Sequence, residues 1–460
     1  MSPMRDLLLP CETRVREFDA KLLVALQAAE RGIVSVVGSK KVMDLRLATF
    51  RPSVYVGKSL TGRNLLNFSL VPKAGHRLVA WDEEGLVWAS REVYWRTKLD
   101  GQALGMPQLL MAWGEENASA WREFPEYTGN PIAITGNPRS DLLRPELANF
   151  FADEVDALRQ QYGRFVLINT NFSRVNHVQP AQNRHLRWLR EQRPDDPRGG
   201  FAGHKFNLFN AFRDMLPRLA RALPGITLIV RPHPSERQQT WQEIAGDLPN
   251  VHVSHEGNVV PWLLAARGLI HNGCTTAVEA FVMHRPALAY MPVRSPQFDH
   301  PLPNGLSMQY EDVEALAAAT RECEADPQAM FERQANDGRR TLLQRNVAAS
   351  EGALASQRVL EAMRPLLEDT SPVAGASPRV ARASLFARRV IREAQARVPG
   401  QGNHRAYLEH MFPSTTAAEV TARLDLFREC LGIARPPRVE QIAPNLFRIS
   451  PGADPAASDG

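Results

Sequence analysis

The stretch ITLIVRPHPSE at residues 226–236 decides the fold class, because it reads as a buried strand followed by a polar turn. Its apolar, β-branched first half is typical of a strand covered on both faces. Pro232 and Pro234 fix their own φ angles and bias the preceding residues away from helix, so the turn is stiff. Ligands bind at the carboxyl ends of such strands, and Arg231 and His233 there suit an anionic ligand such as a nucleotide phosphate. Taken alone, the motif fits equally well a turn whose arginine pairs with a surface carboxylate.

Short apolar runs alternate with helical patterns along the chain, which predicts an α/β fold with two parallel sheets. The predicted strands lie at residues 6–11, 33–37, 54–56, 77–81, 108–113 and 132–134, and then at 165–169, 226–230, 251–254, 269–272 and 287–290. A polar stretch at 171–203 is predicted to be a long loop that contains one helix at 181–193. The predicted domains are an N-terminal Rossmann-like, acceptor-side domain at 1–136, a Rossmann-like donor domain at 137–368, and a linker with a basic helical tail at 369–460.

The composition is that of an ordinary soluble protein, with 44% hydrophobic and 23% charged residues among 460. The four cysteines have no metal-ligand spacing, no secretory signal opens the chain, and no apolar run reaches the roughly 18 residues of a membrane span. We therefore predict a cytoplasmic protein, either free or peripheral at the inner membrane. The net charge of +5 favours an anionic partner without requiring nucleic acid.

Much of the arginine excess lies in a predicted amphipathic helix at residues 380–398. A basic amphipathic helix can lie on anionic lipid. A solvated or domain-packing helix is the commoner arrangement for such a sequence. A last amphipathic helix is predicted at 417–432, and residues 451–460 are predicted to be disordered.

A second motif, HNGCTTAVEA at residues 271–280, reads as a strand end, a glycine turn and a helix start. Backbone N–H groups at a helix start favour an anion, and threonines there either cap the helix or donate to phosphate oxygens. Combined with the first motif, it favours a nucleotide site over a plain helix cap. The predicted donor-binding residues are Arg231, His233, Pro234, Ser235, Glu236, Asn272, Gly273, Thr275, Thr276 and Glu279, the last for ribose hydroxyls.

Three adjacent acids, Asp82, Glu83 and Glu84, follow a predicted strand of the first domain. Their mutual repulsion tends to raise at least one pKa, which suits a general base or nucleophile. Glycosyl transfer needs such a carboxylate near the anomeric carbon. A solvated acidic turn is the alternative interpretation.

Further candidates border the expected cleft between the two domains. A role in binding sugar or acceptor and a role in a structural turn are equally supported for Lys58, Ser59, Asn137, Arg139 and Asp141. Asn171 follows the first strand of the second domain and is also expected to border the cleft. The sequence contains no P-loop, no GxGxxG after the first strand and no metal-binding Asp-x-Asp element. We therefore expect no metal and no cofactor besides the donor, with Arg231, His233 and the helix start neutralising the leaving phosphate.

The motifs DEEG at 82–85, TGNPRSD at 135–141, RPHPSE at 231–236 and NGCTTAVEA at 272–280 resemble those of bacterial surface carbohydrate biosynthesis proteins. The opening LLLPCETRVREFDAKLLVALQAAERG is also similar to theirs, and the resemblance covers residues 7–292. More distantly, the acid-acid-Gly and His-Pro pairs resemble bacterial sialyltransferases and retaining β-Kdo transferases. Those families have a GT-B fold, with two Rossmann-like domains facing across a cleft, and use CMP-activated nonulosonic acids.

The resemblance implies roles for individual residues. His233 and Pro234 match the motif that holds the CMP phosphate, and Glu84 matches the catalytic carboxylate, where several relatives have aspartate. That carboxylate is a base in inverting members and a nucleophile in retaining ones. Asp141 is a candidate second carboxylate for double displacement.

The predicted function is glycosyl transfer of Kdo or a related nonulosonic acid from a CMP-sugar to a surface glycan or glycolipid (lipopolysaccharide, O-antigen or capsule). The favoured course is retention through a carboxylate nucleophile. Two alternatives remain open: a nucleotide-sugar 2-epimerase or glycerophosphotransferase on the same fold, and a non-catalytic glycan assembly module.

Overall fold

The computed structural model describes residues 4–179, 183, 197–397 and 404–452. The chain divides into two compact units, each of which is treated by itself below. The first unit comprises Met1–Leu86, Arg91–Phe150 and Gln344–Gly460, and the second comprises Val87–Ser90 and Phe151–Leu343. This division places residues 137–150 and 344–460 with the N-terminal sheet. The predicted helix at 181–193 and residues 453–460 of the predicted disordered end lie outside the described residues.

The first unit is built on six parallel strands, and all six were predicted from the sequence. They are β1 (Asp6–Cys11), β2 (Ser35–Ser39), β3 (Ser53–Gly57), β4 (Arg77–Trp81), β5 (Leu110–Ala112) and β6 (Ile132–Ile134). They pair in the order β2-β1-β3-β4-β5-β6. Strands β1 to β5 are fully buried, as expected of apolar runs covered by helices on both faces.

The second unit contains a six-stranded sheet in which every described pairing is parallel. Its strands are β7 (Phe165–Asn169), β8 (Thr227–Arg231), β9 (Val251–Val253), β10 (Leu269–His271), β11 (Ala287–Tyr290) and β12 (Met308–Tyr310). They pair in the order β12-β11-β10-β7-β8-β9. The first five strands confirm the sequence prediction, whereas the short β12 was not predicted.

Helices connect these strands. In the first unit they are Asp19–Glu30, Lys40–Asp44, Leu65–Lys73, Arg91–Lys98, Gly101–Gly105, Glu115–Arg122, Pro138–Asp141, Ala355–Glu368, Pro378–Gln395, Arg405–Met411 and Ala417–Leu431. In the second unit they are Ala152–Tyr162, Pro197–Ala222, Gln239–Ala245, Val259–Ala265, Thr276–Val282, Pro301–Leu306, Val313–Ala325 and Pro327–Gln334. Helix Asp337–Asn346 continues along the chain from the second unit into the first.

Helix Pro197–Ala222 corrects the sequence analysis, which placed residues up to 203 in a loop. Its polar, glycine-containing first turns lack helical periodicity. Tertiary packing stabilises them instead: a Cβ on Gly200 would lie 3.1 Å from the Phe298 ring, so glycine permits this close approach. Farther along the helix, Phe209 and Phe212 pack against Phe172 in the core.

The C-terminal segment returns to the first sheet as a hairpin that the sequence analysis missed. Its strands are β13 (Arg438–Ala443) and β14 (Leu446–Ser450), and β14 pairs antiparallel with β2. Gly38 in β2 has a φ of +147°, and a Cβ there would lie 2.1 Å from the Asn445 carbonyl oxygen. Only glycine allows the turn of the hairpin to approach this closely.

The predicted last helix is confirmed as Ala417–Leu431, and it is anchored to the first unit. The Phe427 ring stacks on Phe150 at a centroid distance of 3.9 Å. Arg423 donates two hydrogen bonds to the Asp19 carboxylate, at 2.5 and 2.6 Å. The tail is therefore part of the fold of the first unit, in addition to carrying basic helices.

We expect Phe447→Ala to lower the free energy of unfolding by about 3–5 kcal/mol, because it leaves a cavity under β14. Phe447 is fully buried, and its ring lies 6.1 Å from that of Phe18. The matched control is Arg448→Ala at the exposed neighbouring position, which should cost less than about 1 kcal/mol. Urea denaturation of the full chain measures both, and equal losses would show that the hairpin is not part of the core.

Candidate functional site

The carboxyl ends of β7, β8 and β10 lie at one level of the second sheet. Asn169 in β7 is paired with Arg231 in β8 on one side and with His271 in β10 on the other. The strand order reverses beside β7, which makes this a topological switch point of the kind where doubly wound sheets bind ligands. Both motifs predicted for the nucleotide therefore come together here, on either side of β7. We call residues 169–178, 231–237 and 271–276 the second-sheet edge.

Glu236 ties the turn after β8 to the loop after β7. Its carboxylate is 1% exposed and accepts hydrogen bonds from the Thr170 hydroxyl at 2.9 Å, the Phe172 N–H at 2.8 Å and the Trp241 indole at 3.1 Å. Burial raises the pKa of Glu236, although these hydrogen bonds act in the opposite direction. Protein groups donate to both oxygens of Glu236, a predicted donor-binding residue, and so hold the second-sheet edge in shape.

Arg231 is turned toward the loop after β9. Its terminal nitrogens donate to the Glu256 carbonyl at 2.8 Å and the Gly257 carbonyl at 2.6 Å. The guanidinium carbon lies 5.3 Å from the centre of the Trp262 ring. Burial lowers the pKa of Arg231 to about 10, and the charge of Glu256 partly offsets this. Because each terminal nitrogen already donates to a carbonyl, Arg231 fixes this loop and adds positive potential to the edge.

His233 and Pro234 are exposed at the tip of the turn after β8. The Ser235 N–H donates to Nδ1 of His233 at 3.2 Å, which holds the imidazole close to the turn. The Ser235 carbonyl accepts from the Val178 N–H at 2.9 Å. The predicted phosphate-binding histidine thus lies at the surface, while the N–H and carbonyl of Ser235 form hydrogen bonds that hold the turn. Asn171, on the loop after β7, is partly exposed at the same edge.

Lys205 is a buried cation that the sequence analysis did not identify. It lies near the start of helix Pro197–Ala222, which crosses from β7 to β8 and therefore begins beside the carboxyl end of β7. The residue is 5% exposed. Burial lowers the pKa of Lys205 to about 8, and the charges of Cys274, Asp299 and Glu236 only partly offset this. Asp299 is already engaged, because it accepts from His204 at 3.0 Å and from the Ser295 N–H at 2.8 Å.

The turn after β10 is held by two histidines that burial keeps neutral. Nδ1 of His271 accepts from the Gly273 N–H at 3.0 Å, so Nε2 carries the proton and donates to the Ser307 hydroxyl at 2.8 Å. Burial lowers the pKa of His271 to about 3 and that of His300 to about 4. Nδ1 of His300 donates a hydrogen bond to the Gly273 carbonyl at 2.8 Å. Gly273 itself has a φ of +81°, which favours glycine.

Three asparagine side chains at this turn have buried polar atoms without a hydrogen-bond partner among the described residues. Both amide atoms of Asn272 are in this state, although the residue is only 5% exposed. The side-chain oxygens of Asn169 and Asn304 are also unpartnered. A buried amide without partners costs free energy, so such groups usually have a bound ligand or water. Amide groups of the second-sheet edge and of Asn304 therefore accompany the Lys205 ammonium beside it.

The helix after β10, Thr276–Val282, has only seven residues. Thr275 makes no side-chain capping bond, so the predicted cap is not formed. Its hydroxyl and that of Thr276 remain at the edge, and Glu279 lies in the first helical turn. A buried cation beside this turn is Lys205.

Glu236→Gln should lower the free energy of unfolding by about 2–4 kcal/mol, since the amide nitrogen would face hydrogen-bond donors in a buried position. We also expect weaker nucleotide binding, because the loops after β7 and β8 lose their common anchor. Exposed Glu243→Gln is the control and should change stability by less than about 0.5 kcal/mol. Denaturation curves test this, and two indistinguishable variants would remove Glu236 from its positioning role.

In the first unit, Asp82 opens the acidic turn after β4. Its carboxylate accepts from the Tyr94 hydroxyl at 2.9 Å and the Glu84 N–H at 3.1 Å, and its carbonyl accepts from the Trp113 indole at 2.6 Å. Burial raises the pKa of Asp82 to about 6, against the effect of those bonds. Asp82 therefore orients the turn that carries the next two acids.

Glu83 points into a buried charge network instead of toward solvent. Its carboxylate accepts from the Trp81 indole at 2.9 Å and lies 3.2 Å from the Lys21 ammonium. Lys21 also donates to Glu17 at 2.9 Å and to the Pro10 carbonyl at 2.7 Å. Burial alone would lower the pKa of Lys21, but Glu17 and Glu83 outweigh it and raise the pKa. Glu83 is thus a structural counter-ion.

Lys58 extends this network at the end of β3. Its ammonium contacts Glu17 at 2.5 Å and Glu12 at 2.8 Å, and burial would lower its pKa if these carboxylates did not raise it. Ser59 donates to the Thr61 hydroxyl at 3.4 Å. Lys58 is therefore paired with carboxylates of the first unit; its predicted alternatives were sugar or acceptor binding and a structural turn.

Glu84 is the acid of this turn that reaches solvent. Its side chain is 49% exposed and forms ion pairs with Lys98 and, at 3.5 Å, with Arg16. Partial burial would raise the pKa of Glu84, but the Lys98 hydrogen bond and both positive charges lower it. The carboxylate is therefore ionised at neutral pH and accessible, as a base or nucleophile must be.

The side chains of segment 137–141 make hydrogen bonds to other residues of the first unit. Arg139 donates to the Glu83 carbonyl at 3.1 Å and lies over Trp113. The Asn137 side chain accepts from the Arg139 N–H at 3.0 Å. Asp141 is fully buried and accepts from the N–H groups of the first two residues of helix Ala355–Glu368, at 2.7 and 2.8 Å. Burial raises the pKa of Asp141 to about 6. Asp141 therefore caps this helix from within the first unit.

Sequence reasoning missed several polar residues that the structure brings together. Beside the second-sheet edge these are His204, Lys205, Asp299 and His300, and in the first unit they are Glu17 and Lys21. They lie far from the recognised motifs in sequence. The adjacent pair His204-Lys205, between Phe201 and Phe206, was the only local signal.

Among residues 4–179, 183, 197–397 and 404–452, no group of three or more His, Cys, Asp or Glu side chains is arranged to hold a metal ion. Within the same part of the chain, no helix combines the length and apolarity needed to cross a bilayer.

Comparison with known proteins finds matches among solved structures. No family model matches the chain, and no match was found among the curated proteins. Its structure is similar to that of the wall teichoic acid polymerase TagF, with a TM-score of 0.51, 11% identity, and coverage of 79% of this chain and 89% of TagF. TagF soaked with CDPG gives the same values.

Weaker likenesses link the chain to two other proteins. Anabaena HepE in complex with UDP-glucose has a TM-score of 0.46 at 14% identity, with 79% of this chain and 100% of HepE covered. The S. aureus MnaA–UDP structure has a TM-score of 0.49 at 14% identity, with coverage of 80% and 99%. The likeness to TagF shows the fold, which is α/β of the GT-B type with two parallel-sheet units.

Proposed function

We propose that this protein is a glycosyltransferase of cell-surface glycan biosynthesis, and that the second-sheet edge binds the phosphate of a nucleotide-activated donor. The observation that carries this proposal is Lys205, a buried lysine at the switch point of the second sheet. Burial lowers its pKa to about 8. A fold that holds an ammonium in such a place gains from an anionic ligand, because the ligand supplies the missing counter-charge.

The groups around Lys205 suit a nucleotide phosphate. The backbone N–H groups of Cys274 and Thr275 donate to no described residue, and the buried Asn272 amide lacks a partner. His233 is exposed at the neighbouring turn. An ammonium combined with backbone N–H and amide donors can neutralise and orient a phosphate leaving group without a metal. The potential from Arg231 adds to this effect.

We assign the catalytic carboxylate to Glu84 of the first unit. It is ionised and solvent-accessible, whereas Asp82 and Glu83 are buried in hydrogen bonds and ion pairs. In this assignment Lys98 and Arg16 hold the side chain. The carboxylate acts either as a nucleophile with retention or as a general base with inversion.

For the donor we propose a CMP-activated nonulosonic acid of the Kdo type. The support is the distant resemblance of the acid-acid-Gly element at 83–85 and the His-Pro pair at 233–234 to transferases that use such donors. A second candidate is a glycerophosphotransferase, which is favoured by the structural likeness to TagF and its CDPG soak. Both candidates use the same phosphate-binding edge.

Incubation of the purified full chain with CMP-Kdo, CDP-glycerol and UDP-GlcNAc in parallel tests the proposal. We expect release of CMP from CMP-Kdo and tighter binding of CMP than of UDP. Turnover of CDP-glycerol alone would select the second candidate. Exclusive binding of UDP-GlcNAc would favour an epimerase, and binding of none of the three would overturn the proposal.

A further inference from the structure

Helix Pro378–Gln395 carries an unusual share of exposed apolar surface. Eight large hydrophobic side chains are exposed in the described part of the chain, and four of them lie on this one helix. They are Val380, Phe386, Val390 and Ile391, which are 49%, 70%, 52% and 57% exposed. Single exposed hydrophobic residues are normal on protein surfaces, but four on one helix face mark an interaction site.

The opposite face of the helix is fixed to the first unit, so the exposed face cannot simply turn inward. Ala381 and Leu385 are buried. Arg392 donates to the Lys41 carbonyl at 3.1 Å, and Arg388 contacts the Asn67 side chain at 3.4 Å. The start of the helix is held by the Ser377 N–H, which donates to the Lys73 carbonyl at 2.9 Å. The exposed apolar residues therefore form a preformed surface.

The exposed residues form one apolar stripe with a basic flank. Successive residues of an α-helix are rotated by about 100° around the helix axis. The exposed apolar residues of this helix, small and large, therefore fall within an arc of about 140°, opposite the buried face. We use the name docking face for the following exposed residues: Val380, Ala383, Phe386, Ala387, Val390, Ile391 and Ala394. The exposed arginines Arg379, Arg382 and Arg389 accompany them, and Glu393 is the only acid of the helix.

We propose that this docking face lies on an anionic lipid bilayer. An apolar stripe beside arginines matches the boundary between acyl chains and negatively charged headgroups, where the stripe is buried and the guanidinium groups meet phosphates. A second copy of the chain is a poorer occupant, because a symmetric pairing of this face would bring like-charged arginine rows together. The inference goes beyond the proposed function, since lipid binding is measured without any donor.

Co-sedimentation of the full chain with vesicles tests the proposal. We expect binding to vesicles of phosphatidylglycerol and phosphatidylcholine at 0.05 M salt, with much weaker binding to phosphatidylcholine alone and at 0.5 M salt. The double variant Phe386→Ser/Ile391→Ser should bind at least tenfold more weakly, through loss of buried apolar area. Arg379→Gln and Arg382→Gln should each reduce binding by roughly fivefold.

The matched controls change similar residues outside the docking face. Leu66→Ser removes an apolar side chain that is 57% exposed, and Arg364→Gln removes an exposed arginine; both should bind like wild type. Equal binding to neutral and anionic vesicles, or undiminished binding by the double variant, would overturn the proposal. So would sedimentation equilibrium showing a dimer that Phe386→Ser dissociates, because the occupant would then be a second copy.

Discussion

Replacing Lys205 by methionine is expected to make the protein more stable and, at the same time, to abolish tight donor binding. Methionine keeps the length of the side chain but carries no charge. The free energy of unfolding should rise by about 1–3 kcal/mol, because the fold no longer buries an under-compensated ammonium. The affinity for the donor nucleotide should fall by roughly two to three orders of magnitude, because the phosphate loses its buried counter-charge. Replacing a residue with a purely structural role would not raise the free energy of unfolding and weaken nucleotide binding at the same time.

The gain in stability should depend on pH in a defined direction. The pKa of Lys205 is lowered from its ordinary 10.5 to about 8 in the fold. Between these two values the unfolded chain binds a proton that the folded chain lacks, so the wild-type free energy of unfolding rises with pH there. The advantage of Lys205→Met should therefore be largest below pH 8 and disappear above about pH 10.5. Donor binding to the wild type should weaken above pH 8, as the lysine loses its proton.

Arg218→Met is the matched control on the same helix. Arg218 is exposed and pairs only with Glu314 at 2.7 Å among the described residues, so its loss should change stability by less than about 1 kcal/mol and leave nucleotide affinity unaltered. Urea denaturation from pH 7 to 10.5 and calorimetric titration with CMP give both quantities. A less stable Lys205→Met variant with unchanged CMP affinity would contradict the assignment.

Replacing Glu84 by glutamine should reduce turnover by about 10²- to 10⁴-fold while CMP binding stays unchanged. The amide has nearly the same shape but is neither a base nor a nucleophile. Stability should change by less than about 1 kcal/mol, because the ion pairs with Lys98 and Arg16 are largely exposed. The measurements are the release of CMP from CMP-Kdo under saturating donor and a denaturation curve.

Glu83→Gln provides the contrast within the same turn. Its carboxylate is buried beside Lys21, so the neutral amide should destabilise the first unit by about 2–4 kcal/mol. Exposed Glu115→Gln should be silent in both measurements. If Glu84→Gln retained full turnover, Glu84 would lose its catalytic role.

The fold was predictable because its signals are local. Buried parallel strands such as β1, β4 and β7 are continuous apolar runs with turn residues at their ends, and each was predicted within about two residues. The motifs after β8 and β10 were also predictable, because strand order brings the carboxyl ends of neighbouring strands together. The strand order places both motifs beside β7, on either side of it.

The roles of single side chains were less predictable, because they depend on contacts between distant residues. Arg231 and Glu236 belong to the predicted motif, but their partners lie in the loops after β9 and β7. Asp141 caps a helix more than 200 positions away. Lys205 differs from other lysines by its burial, which no local pattern indicates. The β13–β14 hairpin did have a signal, the apolar alternation around residues 438–450 with a proline–asparagine turn, which the helical pattern before it obscured.

The most direct test is a crystal structure of the full chain soaked with CMP. We predict the phosphate at the second-sheet edge, within hydrogen-bond distance of the Lys205 ammonium and of a backbone N–H in residues 273–276. A nucleotide bound elsewhere, with no contact to Lys205, would contradict the account.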